Sequence, residues 1–336
     1  MTTCAFFRRL TALAFATMMT ACSQPSGKQD LPATPIPPAS TQAAIGHLYL
    51  IVTTSTRFVA EYPIKKGIPQ STPDREVTGF FAPNALTLDG AGNLYVLDYR
   101  TIKEFAPGAS GHARPIRTIH VPNFLNIGTL AVDANGYVYI GQKGHVYVYA
   151  PGAHGRATPF AILKPKGYPS GLAIDASGNL NVLGTSQEMD PYRIFQTHVS
   201  VYAPPPSVKR IREFCGYEET ASGIDFGIAL DGKGNAFSAH TYFVNSYPFG
   251  SVQVYPAAAD KCPISPSRTI TTTNPVLREP VYIKVAYPYL YVCDVFYGQG
   301  GAVFTLKTTG TPQTPLSILY VENNQPHNVF DMALGP

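Results

Sequence analysis

Apolar residues along this chain alternate with polar ones in short runs, and turn residues separate the runs. In the clearest example, one run starts at Leu86 and ends at Asp89, a turn containing Gly92 follows, and a second run starts at Leu94. Such short runs predict β-strands, and the Asp and Gly residues between the two runs predict a tight turn.

This pattern returns along the chain. A period of roughly 40–50 residues with four short strands per repeat, here named A to D from the innermost outwards, is typical of a β-propeller. The predicted A strands lie near Ala85–Asp89, Thr129–Asp133, Gly171–Asp175, Gly227–Asp231, Tyr282–Ala286 and Asp331–Leu334. The sequence therefore predicts an all-β fold, a six-bladed β-propeller with four-stranded blades.

The two ends of the repeat array are incomplete in a complementary way. The first copy begins at a B strand near Leu48–Thr53, whereas the last copy stops after the A strand at Asp331–Leu334. We expect the C-terminal strand to complete the N-terminal blade, because a closed ring leaves no sheet edge exposed.

Evenly spaced aspartates end the A strands of four copies. An Asp at the start of a tight turn accepts backbone N–H bonds, so we interpret these carboxylates as structural rather than catalytic or calcium-binding. They are Asp89, Asp133, Asp175 and Asp231.

Residues 1–21 are interpreted as a lipoprotein signal peptide, with a basic start and an apolar run too short to serve as a membrane anchor. The segment Met19–Cys22 resembles a bacterial lipobox, which predicts a lipid on Cys22. An ordinary secretory signal that contains a cysteine is the alternative. Ser23 favours the outer membrane by its resemblance to the sorting rule of enteric bacteria.

Residues 22–45 are expected to form the lipidated Cys and a disordered tether rich in Pro, Ser and Thr, and residues 46–336 the propeller domain. The lipid would attach the protein to the membrane of the bacterial cell envelope. With a formal net charge of +4, 14% charged residues and no basic cluster, the chain is not expected to bind nucleic acid. We expect a monomer.

The phrases Gly92–Val96 and Phe105–Ala109, with the following Pro115–Ile119, resemble NHL-type propeller repeats. The resemblance covers residues 46–336 and is closest to repeats of bacterial secreted proteins and lipoproteins, most of them uncharacterised. It implies a binding scaffold or sensor, or more rarely a lyase or lactonase with a metal in the central channel. No catalytic residue of those families is matched here.

No phosphate-binding loop, nucleophile elbow or zinc-protease motif occurs, so neither a cofactor nor a catalytic residue is expected. One mouth of the channel, where B strands end and A strands begin, could still gather polar residues. The candidates are Asp98, His240, Asp294 and His327. They suggest a metal site, or alternatively a hydrated channel mouth.

Lys284 replaces a small residue on a predicted A strand. A charge there must face a wet channel or be paired. Asp331 and Asp225 are candidate partners, and a ligand contact is the alternative.

The B–C loops of the fourth and fifth copies are long and that of the sixth is intermediate. All three are rich in aromatic residues, which are typical of binding surfaces when a rigid scaffold holds them. They could alternatively pack together and plug the channel. The candidate ligand-binding aromatics are Tyr192, Phe195, Tyr242, Phe243, Tyr247, Phe249, Phe296 and Tyr297.

Three cysteines follow Cys22. We expect a disulfide between Cys215 and Cys262, provided that the insertion Ala257–Pro266 bends back, and a buried free thiol at Cys293.

Together these features predict a lipid-anchored, non-enzymatic module that binds a protein, peptide or glycan through the long-loop face. The alternative is a metal-assisted lyase or lactonase centred on His240, Asp294 and Lys284. A purely structural component of a surface complex is a third interpretation.

Overall fold

The computed structural model describes residues 45–122, 128–187, 195–216, 223–245, 247–295, 301–321 and 328–336. Within these ranges the regular structure consists of strands, which form six antiparallel sheets. No helix in this part of the chain is long and apolar enough to cross a bilayer.

Each sheet is one blade of the propeller, and the blades follow one another along the chain. Blade 1 contains β1 (His47–Thr53), β2 (Arg57–Lys65), β3 (Ile68–Pro69), β4 (Arg75–Val77) and β25 (Asn328–Gly335). Blade 2 contains β5 (Pro83–Leu88), β6 (Leu94–Asp98), β7 (Thr101–Phe105) and β8 (Arg117–His120). Blade 3 contains β9 (Thr129–Val132), β10 (Val138–Gln142), β11 (His145–Tyr149) and β12 (Ala161–Leu163).

The remaining three blades have the same order of strands. Blade 4 contains β13 (Tyr168–Ile174), β14 (Leu180–Gln187), β15 (Phe195–Tyr202) and β16 (Arg210–Cys215). Blade 5 contains β17 (Ile224–Leu230), β18 (Ala236–Val244), β19 (Tyr247–Tyr255) and β20 (Arg268–Ile270). Blade 6 contains β21 (Pro280–Ala286), β22 (Tyr289–Asp294), β23 (Ala302–Lys307) and β24 (Ser317–Tyr320). The predicted six-bladed architecture is confirmed.

The ring closes within blade 1, as predicted. Strand β25 pairs antiparallel with β1, with Leu48 opposite Leu334 and Leu50 opposite Met332. Thus the last strand of the chain is the A strand of the first blade, and the innermost edge of β1 is covered.

Apolar side chains fill the spaces between neighbouring blades. For example, Leu50 and Val52 of blade 1 belong to one buried cluster with Cys293 and Val303 of blade 6. Similar clusters join the other blades. Because both faces of the inner strands are covered, B strands are almost continuously buried, as in β6 and β10.

The repeated aspartates have the structural role that the sequence predicts. The carboxylate of Asp89 accepts backbone N–H bonds from Ala91 and Asn93, each 2.9 Å long. Equivalent turn bonds form at Asp133, Asp175 and Asp231. These carboxylates fix the hairpins between A and B strands.

An irregularity of the β-bulge type interrupts the pairing between the A and B strands in blades 2, 4, 5 and 6. In the closing strand β25 the irregularity falls between Val329 and Met332. Asp331 therefore lies in a bulge, where its carboxylate can reach the neighbouring blade.

Candidate functional site

One face of the propeller carries the ends of the B strands, the starts of the C strands and the starts of the A strands, because neighbouring strands are antiparallel. We call it the long-loop face. Its centre is one mouth of the channel, and the hairpins of the turn aspartates lie on the opposite face.

The most prominent feature of this face is a hairpin in blade 5. The sequence predicts a loop over residues 241–249, but strand β18 continues to Val244 and β19 starts at Tyr247, so the segment is an antiparallel arm. The prediction was wrong because aromatic and β-branched residues there pair across the hairpin. We call Thr241–Gly250 the blade 5 arm.

The aromatic residues of the blade 5 arm differ in exposure. Tyr242 stacks on His240 and on Phe249, with ring centroids 5.9 and 5.8 Å apart. Phe243 and Tyr247, by contrast, are 41% and 66% exposed. The arm therefore packs part of its aromatic surface against itself and presents the rest to solvent.

The other long loops are described only in part. In blade 4, β14 extends to Gln187 and β15 starts at Phe195, so this connection is also extended by strand pairing. Tyr192, Phe296, Tyr297 and His327 lie outside the described residues.

Further exposed aromatics lie on this face outside the predicted loops. The exposed aromatic side chains at the long-loop ends of strands are Phe81, Tyr99, Tyr168, Phe243, Tyr247 and Tyr320. On the opposite face, the described residues include two, Phe160 and Tyr287. Four residues of the long-loop face were not predicted from the sequence, because they adjoin strand ends rather than long loops. They are Phe81, Tyr99, Tyr168 and Tyr320.

Three of the polar residues predicted at the channel mouth, Asp98, His240 and Asp294, are described, and they do not converge on one point. The buried carboxylate of Asp98 accepts N–H bonds from Phe81 and Ala82, and that of Asp294 accepts them from Arg278 and Glu279. Each therefore fixes the backbone that enters the A strand of its own blade.

The side chain of His240 is also bound within its own blade, in this case to another side chain. Its Nδ1 lies 2.8 Å from Oδ1 of Asp225, and both residues are buried. Within the described part of the chain, Asp98, His240 and Asp294 do not form a group that could ligate one metal ion. The channel-mouth metal site that the sequence suggests is therefore not assembled from these three residues.

The central channel holds a cavity of about 230 Å³, which the A strands of all six blades line. Lys284 is the single charged residue among the described residues of this lining, and the others are chiefly Leu, Ile, Val and Ala. A smaller cavity of about 30 Å³ towards the long-loop face is lined by Tyr282, Lys284 and Asp331. Lys284 thus lines the channel, as expected for a charge on an A strand that faces a wet channel.

Of the two candidate partners of Lys284, Asp225 is bound to His240. Asp331 carries the carboxyl group whose pKa the Lys284 charge influences. Its two oxygens accept N–H bonds from Leu86 of blade 2, at 2.9 Å, and from Met332, at 2.8 Å. Burial raises the pKa of the Asp331 carboxyl to about 6, against the opposing effect of the Lys284 charge and these hydrogen bonds. The pair is an electrostatic interaction across the channel wall.

Replacing Asp331 by Asn is expected to change how stability depends on pH. Between about pH 4 and 6 the folded state retains a proton that the unfolded state has lost, so wild-type stability falls as pH rises. The loss should total about 1–2 kcal/mol after allowance for solvent in the channel. Asp331→Asn should lack this component in urea unfolding at pH 4, 5.5 and 7.

The control for this measurement is Asp260→Asn, since Asp260 is exposed. It should follow the wild-type profile. Identical pH profiles for wild type and Asp331→Asn would contradict the raised pKa.

Cys215 and Cys262 form a disulfide, and Cys293 is a buried free thiol. The segment around Cys262 does bend back to the end of β16, where the N–H of Ile264 donates to the carbonyl of Cys215 at 2.8 Å. Burial raises the pKa of the Cys293 thiol well above its usual range, which disfavours the thiolate form.

Comparison with known proteins supports the fold. The WD40 β-propeller domain of Doa1 superposes with a TM-score of 0.52 at 12% identity, over 85% of this chain and 82% of that one. A protein of unknown function from Bacteroides caccae gives 0.51 at 12% identity, over 87% and 99%. A protein from Lactobacillus plantarum gives 0.50 at 12% identity, over 87% and 100%.

At such low identity these likenesses show a shared fold alone. No protein-family model matches the sequence, and no curated protein is significantly similar to it. The class of protein that the fold defines is therefore the six-bladed β-propeller. The resemblance to NHL repeats stays a prediction.

Proposed function

We propose that this propeller is a non-enzymatic binding module that captures a protein, peptide or glycan on its long-loop face. The observation that carries the proposal is the concentration of exposed aromatic side chains on that face, with the blade 5 arm projecting from it. Exposed aromatics on a rigid scaffold bind sugar rings and peptide side chains at low entropic cost.

The arrangement suits an extended ligand. Phe81 and Tyr99 form an edge-to-face pair in blade 2, and Arg100 lies 5.3 Å from the Tyr99 ring centroid. Tyr168 in blade 4 and Tyr247 in blade 5 offer further contacts around the same face. A ligand that spans several blades could use separate aromatic contacts, each with a hydroxyl or a cation nearby.

The proposal includes the location of the protein. A lipid on Cys22 would anchor the domain to the outer membrane of a bacterial cell, with residues 23–45 as an extended tether. The domain itself would be an NHL-like propeller that acts as a monomer. The support is the lipobox-like segment and the Pro-rich composition after it.

The metal-assisted lyase or lactonase is the weaker proposal. Its candidate acid Asp294 fixes a backbone turn, and His240 is bound to Asp225. Lys284 remains available within the channel, so a ligand that enters the channel would meet one positive charge in an apolar wall.

The test compares two double variants of matched exposure. Phe243→Ser/Tyr247→Ser removes aromatic surface of 41% and 66% exposure from the arm, and Phe160→Ser/Tyr287→Ser removes 45% and 66% from the opposite face. Ligands would be selected with a glycan array and a phage-displayed peptide library. The arm variant should then lose at least about tenfold in affinity, because aromatic contacts dominate such interfaces.

The opposite-face variant should keep wild-type affinity, and both variants should keep the wild-type melting temperature. Equal affinity losses in the two variants would contradict the proposal, as would the absence of any ligand in both libraries.

A further inference from the structure

A histidine lies beside the disulfide at the junction of blades 4 and 5. His198 on β15 is paired directly with Cys215 on β16, and Cys262 comes from the segment between β19 and β20. A ring nitrogen of His198 and the two sulfur atoms all lie within 4.8 Å of one another. This is a set of one nitrogen and two sulfur donors.

The environment of His198 gives an independent indication of a ligand. The residue is fully buried, and its Nε2 lies 3.1 Å from Oγ of Ser186. Its Nδ1 is also buried and has no hydrogen-bond partner among the described residues. A buried polar atom without a partner costs free energy, so it points to an unfilled role.

We propose that reduction of the Cys215–Cys262 disulfide creates a binding site for a thiophilic divalent metal ion, with Zn²⁺ as the candidate. His198 and the two thiolates would supply three ligands, and water would supply the fourth position of a tetrahedral site. While the disulfide is intact, the sulfur atoms cannot act as thiolates and the site is closed.

Formation of the site takes two steps, reduction of the disulfide and binding of the metal ion. A dithiol reductant transfers two electrons and two protons to the disulfide, which yields two thiols and the cyclic disulfide of the reductant. The metal ion then displaces both thiol protons as the two thiolates bind it. The histidine binds as a neutral imidazole and gives up no proton.

The positions of the three residues suit such a change. Adjacent strands fix His198 and Cys215, whereas Cys262 is exposed on a connecting segment. Two backbone hydrogen bonds hold this segment close to Cys215. The N–H of Ile264 donates to the Cys215 carbonyl at 2.8 Å, and the N–H of Cys215 donates to the Lys261 carbonyl at 3.3 Å. A reductant can therefore reach Cys262, and a small movement of this segment lets both sulfur atoms face one ion.

The test uses the full chain, either oxidised or reduced with dithiothreitol that is then removed under anaerobic conditions. Binding of Co²⁺ is followed by its thiolate charge-transfer absorption, and Zn²⁺ by stoichiometry at equilibrium. The control is Cys215→Ser/Cys262→Ser, which keeps Cys4, Cys22 and Cys293. Reduced wild type should bind one more equivalent of metal than the oxidised protein and the control.

His198→Ala should weaken Co²⁺ binding to the reduced protein at least about tenfold and alter its absorption spectrum. Three outcomes would overturn the proposal. They are equal binding by reduced wild type and the control, unchanged binding by His198→Ala, and loss of the near-ultraviolet circular dichroism of the native fold on reduction alone.

Discussion

A chain that lacks residues 328–336 is expected to lose its folded state rather than to become slightly less stable. These residues form β25, whose Val329 and Met332 are buried, and the strand makes six residue pairs with β1. Each buried side chain of this size contributes about 1.5–3 kcal/mol. The free energy lost with these side chains and with the pairing of a whole strand is therefore a large part of the roughly 5–15 kcal/mol by which a domain is stable.

The truncation also exposes a sheet edge. Without β25, the apolar strand β1 would present unpaired backbone groups to the channel, and such edges promote aggregation. We therefore expect aggregated protein or loss of the cooperative transition in thermal unfolding monitored by circular dichroism. Deletion of the exposed Pro336 alone is the control and should leave unfolding nearly unchanged. A truncated chain with wild-type melting would contradict closure of the ring by β25.

The second large effect is expected from Gly227→Ala in the middle of β17, where the pairing with β18 is irregular. Gly227 has a φ of 54°, in the left-handed region, and a Cβ placed there would lie 2.5 Å from the backbone oxygen of Val281 in blade 6. Left-handed backbone costs an alanine about 1–2 kcal/mol, and overpacking against rigid backbone costs about 1–3 kcal/mol more. We expect a loss of about 2–5 kcal/mol in the free energy of unfolding, measured with urea.

Gly90→Ala is the matched control. A Cβ at Gly90 meets nothing within 4 Å. Gly90→Ala should therefore change the free energy of unfolding by less than about 0.5 kcal/mol. If Gly227→Ala is equally mild, the close approach of blades 5 and 6 at the channel does not constrain the fold as described.

Both predictions concern the channel wall, where the A strands meet. The closing strand completes that wall in blade 1, and Gly227 lets the A strands of blades 5 and 6 approach closely. Neither change touches the exposed aromatics of the long-loop face. The Phe243→Ser/Tyr247→Ser variant, by contrast, is expected to lose ligand affinity while it keeps the wild-type melting temperature.

The candidate site could be predicted from the sequence only in part. Lys284 stands out because it breaks a repeated pattern of small residues, and the structure does place it in the channel. The aromatic content of residues 241–249 is equally visible in the sequence, but their pairing into an arm is not. In exposed segments, cross-strand contacts decide between strand and loop, and these depend on residues several positions away.

The sequence by itself determined the number of blades, the turn aspartates and the closure of the ring. These features follow from local alternation, from short-range turn bonds and from the order of strands along the chain, all of which one repeat shares with the next. Only the tertiary structure decided that Asp225 binds His240, that Asp331 reaches Leu86, and that His198 lies beside the disulfide. Pairings of this kind arise from register and from the contact of neighbouring blades, and the spacing of residues along one repeat does not encode them.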